Sequence, residues 1–219
     1  MFIGHYSAAF VAKRIEPRLP LWGLLLAAQV VDIAWALLVL TGIEKASLDP
    51  SLPSNPLVLS SMPYTHSLGA TFIWGFFALL IGMASMRGGI RRLAFGILLA
   101  ATVMSHWFLD LIVHRPDLPL WGEEAKMGLG LWNWPLAALT LEIALVIASI
   151  AWMIRSRSLH GGQLRKRIPI LGGALIVMQI ASQLGGASLA TSASIPMVAI
   201  LILVSFLIVA AIGWWVEHS

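Results

Sequence analysis

The sequence predicts an all-α polytopic membrane protein with about six transmembrane helices, a short N-terminal helix ahead of them, and both termini cytoplasmic. Three observations lead there. Hydrophobic residues make up 59% of the 219-residue chain and charged residues 11%, about half the charged share of an ordinary globular domain. Mean hydropathy is +0.88. The apolar residues also fall in runs long enough to cross a bilayer, which takes roughly 20 residues.

Six such runs can be drawn, at 20–43, 65–86, 93–113, 131–154, 168–188 and 194–216. The stretch before them, Met1 to Ala12, is too short to span. Its charges, Lys13 and Arg14, follow its apolar part, opposite to a signal peptide. Phe2, Tyr6 and Phe10 recur every four residues, so it reads as a short helix packed on, or dipping into, the bundle. Orientation comes from Lys and Arg. Eleven of the fourteen lie on one side, around 13–18, 87–92 and 155–167, while Lys45, Arg115 and Lys126 lie on the other. Cytoplasmic loops collect such residues. The basic balance (net charge +4) is therefore a topology signal and no sign of nucleic-acid binding.

Two outward loops differ from the rest. Pro50, Pro53, Pro56 and Pro63 keep 44–64 from being helical throughout. The loop at 114–130 is charged and is flanked by Trp121, Trp132 and Trp134, as in an interfacial aromatic belt. The last two spans carry no acidic or basic residue between Pro169 and Trp215, and Gly172, Gly173, Gly185 and Gly186 suggest close helix packing there. The chain reads as one integral membrane domain. Its polar site falls in 1–154, and 168–216 forms an apolar helix pair. With no cysteine, thiolate chemistry and disulfides are excluded.

Ionisable groups within spans are costly and mark candidate sites. Asp32 lies mid-way along the first span, His106 and Asp110 in the third, His114 one turn later, His66 at the start of the second, Glu142 inside the fourth and His5 in the N-terminal helix. His160 and His218 sit in loop or tail positions and carry no assignment. His106, Asp110 and His114 are spaced i, i+4, i+8 and share one helix face. An imidazole and a carboxylate so placed can hold one divalent ion. Nitrogen and oxygen ligands without sulfur suit zinc, with manganese or iron as alternatives. At about 1.5 Å per residue from their basic flanks, Asp32, His106 and Glu142 lie roughly 18–21 Å up, in one layer. His66 comes out higher and His5 lower, so including both requires tilt or a re-entrant segment. Each residue also has a plain structural reading. Asp32 could bond Gln29, His114 and Asp117 could form a surface turn, and Glu142 could pair with Lys126 or Arg115.

Gly4-His5, Asp32, Thr65-His66-Ser67 and Ser105-His106-Trp107-Phe108-Leu109-Asp110, with His114-Arg115-Pro116-Asp117 and Glu142, resemble the bacterial inner-membrane metal-dependent hydrolase family, the YdjM-like group. The resemblance covers about residues 1–145. The chain departs from it at Val30-Val31-Asp32-Ile33-Ala34, where the family pattern has Pro-Asp-x-Asp-His. It implies a multi-pass inner-membrane hydrolase with a divalent cofactor held by His66, His106 and Asp110, joined by His5, Asp32 or His114. Asp32 or Glu142 then serves as catalytic base. Location in the bilayer points to membrane lipids as partners and to a lipid-linked ester or phosphoester as substrate, without nucleic acid, in a homo-oligomer or larger complex. An ion-coupled permease and a non-catalytic scaffold are the competing classes. No inverted repeat supports the permease.

Overall fold

Proline and glycine punctuate a chain that is otherwise helical. The structure, a computed structural model, describes residues 1–85, 89–155 and 162–218; His160 lies outside them. A 3-10 turn, Ile3–His5, leads into α1 (Tyr6–Ile15), which ends ahead of Pro17. Pro20 then starts α2 (Leu21–Leu40). A two-stranded antiparallel hairpin follows, β1 (Lys45–Leu48) against β2 (Leu57–Ser61), with Leu48 opposite Leu57. Ser67 caps α3 (Leu68–Ala84) by accepting the Ala70 N–H at 3.0 Å. The remaining helices are α4 (Gly89–Val113), α5 (Pro135–Ile154), α6 (Gly162–Ser192) and α7 (Ile195–His218).

Five helices, α2 and α4 to α7, are long and apolar enough to cross a membrane, and α3 is a shorter apolar helix. Their outer faces carry bulky apolar side chains in open view, including Phe72, Ile73, Phe76 and Phe77 on α3 and Leu201, Val204 and Leu207 on α7. Exposed apolar area of that extent fits a lipid environment and not water. This is an all-α, membrane-embedded architecture with one small hairpin.

Two features differ from the sequence reading. The loop at 44–64 holds paired strands, because the prolines cluster in the hairpin turn and leave 45–48 and 57–61 free to pair. A further close helix crossing, which the sequence reading does not name, lies at α3 and α4. A Cβ on Gly82 would stand 2.7 Å from the Gly96 Cα, so the two backbones touch there. On α6, Gly172 is also packed closely, a Cβ there standing 2.7 Å from Ile150 Cδ1 of α5, and Gly186 lies against Ser54 O, while Gly173 and Gly185 face open space.

The short N-terminal helix does not lie on the surface. Ile3, Tyr6, Ala9 and Phe10 are fully buried and join Leu21, Leu24, Val146 and Met153 in one core cluster. Lys13 anchors its far end. The ammonium donates to Pro17 O at 2.6 Å, to Leu19 O at 2.7 Å and to the Glu217 carboxylate, whose other oxygen accepts the Leu21 N–H. α1, α2 and α7 are thereby fastened at one end, and His5 is carried up into the bundle.

Candidate functional site

Four chain segments meet at the C-terminal end of α4. The N-terminal turn supplies His5 and α2 supplies Asp32. The stretch unwound before α3 supplies His66, and α4 supplies His106, Asp110 and, just past its last turn, His114. All but Asp32 are fully buried.

Asp110 lies at the centre. Its Oδ2 is 3.1 Å from His106 Nε2 and 3.7 Å from His66 Nε2. Its Oδ1 is 3.1 Å from His5 Nε2 and 3.5 Å from His114 Nε2, and it pairs with the Met1 amino group. Asp32 closes the group from α2, its Oδ1 3.1 Å from His66 Nε2 and 3.5 Å from His106 Nε2. His5 and His106 stack nearly parallel with ring centres 3.7 Å apart.

The outer ring nitrogens fix how these imidazoles are held. His106 Nδ1 lies 3.0 Å from the Ala28 carbonyl, which can only accept, so that nitrogen carries the proton. His114 Nδ1 donates to Asp117 Oδ1 at 2.8 Å, and Trp132 packs 4.2 Å from its ring. His66 Nδ1 is 2.8 Å from Thr65 Oγ1. The Thr65 hydroxyl in turn donates to Glu44 Oε2 at 2.7 Å, and Glu44 Oε1 accepts the Tyr64 and Thr65 N–H groups. Burial pushes the Glu44 carboxyl above its ordinary range, while those three donors pull it back. With Nδ1 bound outward, each Nε2 faces inward.

His66 Nε2 meets Asp32 Oδ1 at 3.1 Å, but other inward atoms lack partners. Among the described residues, His106 Nε2, Asp110 Oδ2 and both His5 ring nitrogens are buried and make no hydrogen bond. Three ligand atoms of His66, His106 and Asp110 lie within 4.8 Å of one another, as do those of His5, Asp32 and His106. Either set could hold a metal ion. Outward hydrogen bonds that fix the ring and its tautomer are the usual supports of metal-binding histidines.

Comparison with protein-family models, with curated proteins and with solved structures finds no match.

Glu142 stands beside this group and not within it. Its carboxylate accepts the N–H groups of Phe2 at 2.8 Å and Gly4 at 3.1 Å, and Gln179 donates to it at 3.3 Å. It pairs with neither Lys126 nor Arg115. Gln29 is likewise committed elsewhere, to the Phe2 carbonyl at 2.9 Å. Glu44, Thr65, Asp117 and Trp132 escape the sequence reading as parts of the site. Thr65 and Asp117 lie within motifs that single out their neighbours, and Trp132 reads as a belt residue although it is buried against His114. Glu44 gives no signal, because a carboxylate just past a span reads as an ordinary loop charge.

Proposed function

We propose that the protein is a membrane-embedded, metal-dependent hydrolase. One observation carries this: three histidines bind outward through Nδ1 and direct Nε2 onto the carboxylates of Asp32 and Asp110. Nε2 atoms facing carboxylate oxygens in a low-dielectric interior call for positive charge among them, which a metal ion or protons on the rings supply. The ordered motifs shared with the inner-membrane hydrolase group support the same reading.

His66, His106 and Asp110 would hold the ion, with His5 and Asp32 within reach. Zinc suits this nitrogen and oxygen set, with manganese or iron as alternatives. Such an ion supplies Lewis-acid polarisation of a carbonyl or phosphoryl oxygen and a water acidic enough to attack near neutral pH. Of the two carboxylates, Asp32 is the one that reaches space. Its side chain keeps 19% of its exposure against 1% for Asp110. It also lines the adjoining cavity, so it can take a proton from an attacking water. Glu142 holds the N-terminal turn, and with it His5, in place. His114, tied to Asp117, orients Asp110 from the other side.

The same reading takes α3 as a sixth span and places both termini in the cytoplasm, on the side of the eleven basic residues. The site then lies in the outer half of a bacterial inner membrane. Metal analysis of the detergent-purified protein tests it. Near-stoichiometric metal, lost in His66→Ala and His106→Ala while the helical content stays, is the expected result. Full metal content in His106→Ala, or no metal in any sample after supplementation, would overturn it.

A further inference from the structure

A cavity of about 480 Å³ adjoins the site. At its inner end stand Asp32, His66, His114 and Glu142. Away from them it runs between α6 and α7 and is walled by Met178, Val198, Leu201, Ile202 and Phe206. The hairpin turn forms its roof, held to α6 by Ser54 and Gln183, whose side chains pair at 3.3–3.4 Å. Arg115 braces that turn by donating to Pro53 O at 2.8 Å and Asn55 O at 3.2 Å. Ala181, Ser182, Gly185 and Leu201 line the cavity and are exposed, so it opens sideways between the two helices. The apolar helix pair is therefore part of the site region, although 168–216 carries no ionisable group.

The lining also has a definite electrical character. None of the described lining side chains is Lys or Arg. Apart from Asp32, His66, His114 and Glu142, the polar lining includes uncharged amides and hydroxyls: Asn55, Gln179, Gln183, Ser182 and Ser205. A phosphomonoester needs fixed positive charge or a fork of guanidinium donors; apart from the proposed metal site, the cavity offers only the Met1 amino group, which Asp110 already holds. A carbonyl head needs only neutral donors.

We infer that this cavity binds a single-chain amphiphile whose apolar chain enters from the bilayer between α6 and α7 and whose uncharged carbonyl head, an acyl ester or amide, rests at Asp32, His66 and His114. The inference builds on the metal-site reading for what happens to the head. The chain site stands on the cavity alone. Chain length then sets how well the cavity is filled, because lipid tails are as apolar as its walls and transfer between them adds little.

The test uses the full-length protein in lipid nanodiscs and a hexadecanoic acid methyl ester carrying a diazirine mid-chain. Photolabelled residues are mapped by mass spectrometry, and metal is measured in the same samples. Labelling is expected within 178–186 and 198–206. It should fall at least tenfold in Ser205→Trp, which fills the cavity, and in Ile202→Phe, which narrows it with less risk to folding. Unlabelled methyl ester should compete at least tenfold better than hexadecyl phosphate. Equal labelling of lipid-facing positions such as Phe76 and Leu207, unchanged labelling in both variants, or equal competition by the phosphate would each overturn the inference. Specific labelling of a metal-free protein would sink the hydrolase reading and leave the chain site intact. Bound metal with unspecific labelling would do the reverse.

Discussion

Replacing Thr65 by Val isolates what the outer hydrogen bonds contribute to the site. The side chain is fully buried, and valine matches its volume, so no cavity forms. What disappears is one hydroxyl that serves two groups, His66 Nδ1 at 2.8 Å and Glu44 Oε2 at 2.7 Å. Neither partner can turn to water, and each unsatisfied buried group costs about 1–3 kcal/mol. Part of this appears as lost folding stability. The rest appears in the metal site, because His66 is then free to rotate or to adopt the other tautomer. Losing such an outer partner lowers metal affinity about 10–100-fold, or about 1.4–2.7 kcal/mol. Zinc binding to the purified protein is read by competition with a chelator of known affinity, beside chemical unfolding in mixed micelles. Thr65→Ser should restore affinity to within about threefold, since it returns the hydroxyl without the methyl. Suppose instead that Thr65→Val binds zinc within threefold of wild type while its unfolding free energy falls. Thr65 would then act on folding alone, and the argument that it orients His66 would be wrong.

Two further outcomes concern the scaffold. Lys13→Met leaves Glu217 without its buried cation, a change that costs 3–5 kcal/mol on the order of typical buried pairs. Because Glu217 keeps 16% of its exposure and the Leu21 N–H, about 3 kcal/mol is expected from unfolding in micelles. Adding Glu217→Gln should recover part of it, and equal losses in the single and double variants would refute the pairing. Gly82→Val pushes a side chain into the Gly96 backbone and should destabilise by about 2–3 kcal/mol. Gly173→Val, which meets nothing within 4 Å, should be neutral or slightly stabilising, because valine is the better helix former. Comparable losses at both positions would show that the close α3–α4 crossing is not the cause.

The membrane class, the helical spans and the polar residues were legible in the sequence because they follow from local rules. Span length comes from bilayer thickness, and the shared face of His106 and Asp110 from helical periodicity. Depth counted along each span could not bring His5 and His66 to one level with Asp110, since it treats every segment as a straight rod ending at its flank. Tertiary structure did so by two irregularities. α1 is drawn up inside the bundle by its apolar residues and the Lys13 clasp, and the chain before α3 stays unwound so that His66 reaches down.

Residue types and helix periodicity thus determined, from the sequence alone, which groups are out of place in a bilayer and which of them share a face of α4. Only the fold decided that they converge on Asp110, that Glu44 and Asp117 brace the histidines from outside, and that α6 and α7 enclose a cavity beside them. The physical reason is range. Helix propensity and hydropathy act over a few residues, whereas Glu142 meets Gly4 and Asp110 meets His5 across more than a hundred residues of chain. Those meetings are set by the packing of apolar faces, which fixes the positions of the polar atoms without recording them in any local pattern.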